Sequence, residues 1–142
     1  MFQFFSRSLR NERGFTLIEL LIVVAIIAIL AAILIPNFLR ARAQSQLSAS
    51  KGNLKNLATS LESYFVDRGS YPTALSIMTP TYLRAVPNDP CSNLPYSYSP
   101  LATPTVPTDY LMGIDFPAGS PCDGIVPGLN YTPGGGLQET PP

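Results

Sequence analysis

The acidic and sulfur-containing side chains are the groups that could do chemistry in this 142-residue chain, because the sequence contains no histidine. Histidine is the usual general base near neutral pH and a common zinc ligand. The acids outside the apolar N-terminal run are scattered, and no glycine-rich phosphate loop or nucleophile motif is present. The sequence therefore predicts a protein that is not an enzyme, with no cofactor and no metal site.

One acid, Glu19, stands in an unusual place. Residues 15–35 are apolar except for Thr16 and Glu19. A helix of that length extends about 31 Å, which is close to the thickness of the hydrocarbon core of a bilayer. An ionised carboxylate at that depth is costly unless it finds a partner. Glu19 is therefore the first candidate functional residue.

Charge is unevenly distributed along the chain. Residues 1–14 carry three arginines and one glutamate, whereas residues 69–142 carry five acids and a single base, Arg84. A positive leader is expected to stay in the cytoplasm, which sends the chain after the apolar run outward. An acidic C-terminal part argues against a phosphate-binding surface, since such surfaces need clustered lysine and arginine. We therefore predict no nucleic acid partner for this part.

The segment that follows the apolar run predicts a second helical part. Residues 37–67 contain no proline, and apolar side chains recur there at intervals of three and four residues from Leu47 to Phe65. This spacing is typical of an amphipathic helix. Pro36 and Gly52 are the only interruptions, and a proline kinks a helix without necessarily ending it. We expect one helix of about fifty residues, half in the membrane and half outside.

The C-terminal part predicts a small sheet. Residues 69–142 contain fourteen of the fifteen prolines, which disfavours an α-helix. Short strand patterns lie between the prolines at residues 94–99, 109–116 and 129–132. They predict an antiparallel sheet whose apolar face covers the stripe of the helix, and so an α+β fold. The glycines at 134–136 and the last three residues are expected to be flexible.

Two cysteines, Cys91 and Cys122, lie in the part predicted to be outside the cytoplasm. An even number of cysteines in an exported domain is typical of a disulfide. By the chain-entropy relation, closing a loop of this size stabilises a fold by about 3–4 kcal/mol. The alternative, two free thiols that never meet, remains open from the sequence.

A basic start followed by an apolar run is also how a cleavable secretory signal begins. Ala41-Arg42-Ala43 matches a signal peptidase site and would leave Gln44 as the new N-terminus. Against this interpretation, the apolar run is longer than the roughly 7–15 residues of a cleavable signal. Arg40 and Arg42 would also stand directly before the cut, and Glu19 would have no role.

The stretch RGFTLIELLIVVAIIAILAAILIP at residues 13–36 resembles the N-terminal signature of type IV pilins and of their relatives, the type II secretion pseudopilins. The resemblance implies that a membrane aspartyl peptidase cuts between Gly14 and Phe15 on the cytoplasmic side, and that Phe15 is then N-methylated. It assigns the family's glutamate to Glu19 and its helix proline to Pro36, which we take as the assembly residues.

Cleavage after Gly14 would create the partner that Glu19 lacks, because it exposes a cationic amine on Phe15 in the same apolar layer. The two groups are four positions apart, so they can pair within one chain. Between chains, the pair would fix the axial stagger, since apolar helices in lipid otherwise have little to set their register. We hypothesise that Glu19 neutralises the N-terminus of a neighbouring subunit during assembly.

A second resemblance lies in residues 69–100. Four segments there are similar to the pattern of the major, G-type pseudopilins: Tyr71-Pro72-Thr73, Tyr82-Leu83, Pro87-Asn88-Asp89-Pro90 and Pro95-Tyr96-Ser97-Tyr98. The acidic Asp-x-Asp segment that binds calcium in that class is missing, and Asp115 and Asp123 stand eight residues apart. A pair between Cys91 and Cys122 would supply a similar staple. Disulfides near the C-terminus are common in pilins, which favours a pilin.

These patterns divide the chain into four segments: a cleaved leader (residues 1–14), a transmembrane half-helix that forms the filament core (15–36), an amphipathic half-helix (37–68) and a proline-rich β head (69–142). The predicted function is a structural prepilin subunit of a type IV pilus-like filament. The alternative is the G-type major pseudopilin of a type II secretion system. A monomeric, membrane-anchored or secreted binding protein is a third interpretation.

The resemblance also implies partners and a location. The partners are further copies of the chain and related pilins in a helical filament, a prepilin peptidase, an inner-membrane assembly platform and, before assembly, membrane lipid. The precursor is expected in the bacterial inner membrane, with its N-terminus cytoplasmic and its head periplasmic. The assembled subunit is then expected in a pilus on the cell surface or in a periplasmic pseudopilus.

Overall fold

The structure, a computed structural model, describes residues 14–102 and 106–140. It contains helix α1 (Leu17–Arg68), a short 3-10 helix (Leu75–Met78) and the strands β1 (Ser97–Ala102), β2 (Pro107–Asp115), β3 (Gly128–Thr132) and β4 (Gly136–Glu139). The described residues fall into two compact units that divide after Phe38. The predicted leader, apart from Gly14, lies outside the described residues.

Helix α1 is 52 residues long, which confirms the prediction of one helix of about fifty residues. It passes through Pro36 without ending. Proline has no N–H to donate to the preceding turn, so one helical hydrogen bond is lost there. The side chain of the next residue, Asn37, donates from Nδ2 to the carbonyl oxygen of Ile33 at 3.1 Å and adds a polar contact in the same turn.

Helix α1 ends at a glycine. Gly69 follows the last helical residue with a φ of 71°, a left-handed conformation that costs glycine nothing. Its N–H donates to the carbonyl oxygen of Phe65 at 2.8 Å, which satisfies one of the last carbonyls of the helix. The chain then turns back, and the head begins.

The four strands form one antiparallel sheet in the order β1-β2-β3-β4. The antiparallel sheet was predicted, but β4 was not. Gly136, with a φ of 67°, opens β4 and pairs with Thr132 of β3. The prediction of a flexible segment at residues 134–136 is therefore wrong, because the glycines form the tight turn that brings β4 beside β3.

The core of the head lies between one face of the sheet and the predicted stripe of α1. Leu54, Leu57 and Leu61 are completely buried, as are Met112 of β2 and Leu129 of β3. All of them belong to one hydrophobic cluster. The α+β architecture, with the helix packed on a small antiparallel sheet, is thereby confirmed.

Tyrosines make up much of this core. Tyr110 is completely buried. Its ring centroid lies 4.8 Å from that of Tyr71, 6.0 Å from that of Tyr98 and 6.3 Å from that of Tyr131. Burial is the main cause that raises the pKa of Tyr71 and of Tyr98 to about 12. The pKa of Tyr110 is raised further, by burial and then by the carboxylate of Glu62.

Alkaline pH is therefore expected to unfold the head. A tyrosine with a raised pKa in the folded state stabilises the fold fully below the pKa of the unfolded chain, about 10, and that contribution is lost as the pH rises through 12. Tyr71, Tyr98 and Tyr110 should ionise together with loss of the near-UV circular dichroism. Tyrosinate absorbance measured between pH 9 and 13 checks this. Ionisation of all seven tyrosines near pH 10 with the dichroism unchanged would contradict the packing.

Candidate assembly site at the start of helix α1

Two side chains fix the start of α1. Oε2 of Glu19 accepts hydrogen bonds from the backbone N–H of Thr16 at 3.0 Å and from Oγ1 of Thr16 at 2.8 Å. In return, the N–H of Glu19 donates to Oγ1 of Thr16 at 3.3 Å. This reciprocal pattern is a capping box, in which the N-cap residue and the third helical residue satisfy N–H groups that have no partner inside the helix.

Sequence reasoning assigned Glu19 to assembly and missed its capping role. The signal was available, since a threonine followed three residues later by a glutamate, directly before an apolar run, is the pattern of a capping box. A carboxylate in the first turn also interacts favourably with the positive end of the helix dipole. The cap therefore gives the Glu19 carboxylate a partner within its own chain, Thr16. The sequence had suggested only the N-terminal amine of Phe15 as a partner.

The cap occupies one carboxylate oxygen and leaves the other available. Among the described residues, no donor makes a hydrogen bond to Oε1 of Glu19. A carboxylate can accept from several donors at once. Glu19 can therefore cap its own helix through Oε2 and accept a hydrogen bond from a cation through Oε1. Capping and pairing with a neighbouring N-terminus are geometrically compatible.

The residues of the predicted cleavage site adjoin the cap. Gly14, Phe15 and Thr16 precede the helix and have no regular structure, and the side chain of Phe15 is 85% exposed. The backbone at Gly14 is open, with no atom within 4 Å of the place where a Cβ would stand. Gly14, Phe15 and Glu19 thus lie within six consecutive residues at the start of α1. Pro36 lies some 25 Å farther along the same helix and is not part of this group.

The N-terminal half of α1 presents apolar side chains to its surroundings. Every Phe, Leu, Ile and Val residue from Phe15 to Leu39 has at least 48% of its surface exposed, and Phe15 reaches 85%. The helix is long and apolar enough to cross a membrane by length and composition. Apolar surface of this extent marks a site of contact with lipid or with other apolar helices.

A second polar group, the carboxylate of Asp89, lies inside the head. The side chain of Asp89 is 1% exposed. Oδ2 accepts from the N–H of Cys91 at 2.9 Å, from the N–H of Ser92 at 2.7 Å and from Oγ of Ser92 at 2.9 Å. Oδ1 accepts from Oγ of Ser50 on α1 and from the hydroxyl of Tyr96 at 3.4 Å. The carboxylate therefore ties its own loop to the helix.

The two cysteines form a disulfide, which confirms the predicted pair and excludes the two free thiols. Cys91 and Cys122 are joined, with their Cα atoms 5.8 Å apart. Cys122 is completely buried, and its Sγ lies 3.5 Å from the carbonyl oxygen of Ala43. The bridge thus joins the Asp89 loop to the loop between β2 and β3, at a point where both contact α1.

The two acids considered for a calcium site, Asp115 and Asp123, lie in different elements of the head. Asp115 ends β2, and Asp123 lies in the following loop, where its Oδ2 accepts from the N–H of Gly119 at 3.2 Å. Within residues 14–102 and 106–140, no three acidic, histidine or cysteine side chains come together as a metal site would require.

Comparison with known proteins places these features in a family. Residues 9–35 match the family model described as the prokaryotic N-terminal methylation motif. The chain is 34% identical over 106 residues to the type II secretion system core protein G of Pseudomonas aeruginosa, an alignment that covers 63% of this chain and 74% of that protein. The chain belongs to the type IV pilin and pseudopilin family. In this pilin-family protein, the Thr16–Glu19 cap lies inside the matched motif.

Two other relatives of this pilin-family protein are named as pilus components. It is 56% identical over 66 residues to the type IV major pilin protein PilA of Myxococcus xanthus. That alignment covers 46% of this chain and 30% of the Myxococcus protein. It is 44% identical over 79 residues to the type IV wide pilus major component PilA4 of Thermus thermophilus. That alignment covers 56% of this chain and 60% of the Thermus protein. The chain thus spans less than two thirds of either pilus protein.

Proposed function

We propose that the protein is a structural prepilin subunit that is cleaved between Gly14 and Phe15 and assembles into a filament through the apolar half of α1. The observation that carries the proposal is the start of the helix. There, an exposed cleavage junction and a capped Glu19 lie within six consecutive residues, inside a motif that matches the family model. Methylation of the new N-terminus at Phe15 is part of the same proposal.

The assembly step follows from the geometry of Glu19. Cleavage exposes the amine of Phe15, and Oε1 of Glu19 in a neighbouring subunit accepts from it. Because the two groups are four residues apart along the helix, this pairing offsets the neighbouring subunits by about 6 Å along the filament axis. Both charges lie in an apolar layer, where an unpaired charge is expensive. The pair therefore selects one stagger among many that apolar packing alone would allow.

A pseudopilin of the G type is the second candidate. The Pseudomonas aeruginosa secretion protein aligns over 74% of its length, which extends beyond the N-terminal motif into the head. The pilus candidate is supported by the names of the two other relatives and by the disulfide between Cys91 and Cys122. Both candidates share the same cleavage, membrane insertion and helix-mediated assembly. They differ in the location of the filament, which is the cell surface for a pilus and the periplasm for a pseudopilus.

The proposed location and partners follow from the segments. Before assembly, residues 15–36 cross the inner membrane, with the leader (residues 1–14) in the cytoplasm and the amphipathic half-helix (37–68) and head (69–142) in the periplasm. The partners are further copies of the chain and related pilins, a prepilin peptidase that removes the leader, and an inner-membrane assembly platform. The unassembled subunit is surrounded by lipid.

Intact mass and N-terminal sequencing of the protein from membranes of its own host test the proposal. We expect a mature chain that starts at Phe15 and carries one methyl group, since cleavage after Gly14 exposes the amine that Glu19 requires. A chain that starts at Gln44 would mean an ordinary secreted domain and would overturn the proposal. Recovery in a sheared extracellular fraction favours the pilus, and retention in the periplasm favours the pseudopilus.

A further inference from the structure

Two arginines at the end of the apolar run have no role in the assembly step. Arg40 and Arg42 are the first charged side chains after Glu19, and both are exposed. The one ion pair among the described residues joins Lys51 to Glu139. No carboxylate within residues 14–102 and 106–140 therefore forms an ion pair with either arginine. Both cations are exposed in the same helical turn and are available to a partner outside the chain.

The arginines point to different sides of the helix. Residues two positions apart are rotated by about 200° in an α-helix. Arg40 stands seven residues before the buried Leu47, so it continues the head-facing stripe, whereas Arg42 lies on the opposite side. A neighbouring protein approaches a helix from one side and would meet one of them. A layer of charged groups around the whole helix would meet both.

The length of the apolar run places this turn at the surface of a membrane. The 23 helical residues from Leu17 to Leu39, of which only Glu19 and Asn37 are polar, extend about 35 Å, against about 30 Å for the hydrocarbon core of a bilayer. The turn that follows therefore lies among the lipid headgroups. Arginine suits that layer, because its long stem stays in apolar surroundings while the guanidinium reaches phosphate, often through two hydrogen bonds.

The charges of the neighbouring segments agree with this partner. Residues 37–61 contain four cations and no acid. One acid of the head, Asp123, directly follows Cys122, whose Sγ lies 3.5 Å from the carbonyl oxygen of Ala43, the residue after Arg42. Lipid phosphates would repel this exposed carboxylate and the rest of the acidic head. Arg40 and Arg42 stand where cations would offset that repulsion.

We propose that Arg40 and Arg42 bind the phosphate groups of lipids in the leaflet on the head side, and so set the depth of the unassembled subunit in the membrane. The inference rests on the membrane orientation in the proposed function but not on cleavage or assembly. It implies that a subunit leaving the membrane must break these two phosphate contacts.

Cysteine accessibility in vesicles tests the depth. The full chain is reconstituted at low protein-to-lipid ratio in vesicles of phosphatidylethanolamine and phosphatidylglycerol. Single cysteines are introduced at the exposed positions 37, 38, 39, 41, 44 and 45, which leave Arg40 and Arg42 in place, and are labelled with a water-soluble maleimide. The described native cysteines are both in the disulfide and do not react. In the parent chain, labelling should begin at position 41. In the Arg40→Gln/Arg42→Gln variant, it should begin about one turn later, because the neutral helix sinks.

A matched variant and a matched medium separate lipid phosphate from other causes. Lys55→Gln/Arg84→Gln removes two exposed cations farther from the apolar run and should leave the boundary unchanged. In micelles of dodecyl maltoside, which carry no phosphate, the parent and the arginine variant should label alike. An unchanged boundary in the arginine variant overturns the proposal. So does a shift that occurs only at high protein density, which would assign the arginines to a second copy of the chain.

This test is independent of the cleavage and assembly steps of the proposed function. It uses the unprocessed chain and needs neither the peptidase nor a filament. A chain that fails to be processed or to polymerise in its host, but whose arginine variant sinks in vesicles, would refute the assembly proposal and leave the lipid contacts standing.

Discussion

Replacing Glu19 with glutamine is expected to reduce filament assembly at least a hundredfold while leaving cleavage after Gly14 intact. Glutamine can take the place of glutamate in a capping box, so α1 should still start at the same residue. It cannot neutralise the amine of Phe15 in a neighbouring subunit. Removing one partner of a buried charge pair costs about 3–5 kcal/mol, and each 1.4 kcal/mol is about a factor of ten in an equilibrium. The yield of sheared filaments measures the effect, and the mass of the membrane-bound subunit verifies cleavage.

The variant Thr16→Val provides the matched control, because it removes the cap hydroxyl, with its two hydrogen bonds, and keeps the charge of Glu19. The loss of an N-cap hydroxyl costs about 1 kcal/mol. We therefore expect less than a tenfold decrease in filament yield, far below the effect of Glu19→Gln. If Thr16→Val stopped assembly as completely as Glu19→Gln, the role of Glu19 would be to start the helix. Normal filaments from Glu19→Gln would refute the charge pair itself.

The sequence was most informative where structure depends on neighbours along the chain. The periodic apolar residues between Leu47 and Phe65 indicate one face of a helix, and that face is the one that packs on the sheet. The proline distribution separates helix from head for a similar reason, since proline acts on the turn directly before it. The same local logic would have revealed the Thr16–Glu19 cap, whose two members are three residues apart.

Features that depend on distant partners could not be predicted. Asp89 occurs between two prolines in a polar turn, and nothing nearby in sequence indicates that its carboxylate is buried. Its burial depends on Ser50, 39 residues earlier on α1. Strand β4 was missed for a related reason. Its four residues show no strand pattern of their own, and they form a strand through pairing with β3. Cys91 and Cys122 were paired correctly because they were the only two candidates.

Replacing Asp89 with alanine is expected to destabilise the head by about 3 kcal/mol. Oδ1 and Oδ2 accept from two backbone N–H groups and three hydroxyls, and burial leaves these donors little access to water. A buried donor that loses its acceptor costs about 1–3 kcal/mol. Urea unfolding of the full chain in detergent micelles, followed by tyrosine fluorescence, measures the change. Asp115→Ala removes an exposed carboxylate from the end of β2 and should change stability by less than about 0.5 kcal/mol.

Removing the disulfide between Cys91 and Cys122 tests whether Asp89 orders its loop without the bridge. The bridge closes a loop with a sequence separation of 31 and acts mainly on the unfolded chain, where it is worth about 3–4 kcal/mol. The Asp89 carboxylate acts on the folded chain, but it accepts a hydrogen bond from the N–H of Cys91, and contributions from residues in contact couple by about 0.5–3 kcal/mol. The simple sum for a variant that combines Asp89→Ala with Cys91→Ser and Cys122→Ser is about 6–7 kcal/mol, which is comparable to the whole stability of a small domain, and this variant should be unfolded without urea. If it stays folded and Asp89→Ala costs nothing without the bridge, the disulfide alone orders the loop and Asp89 only follows it.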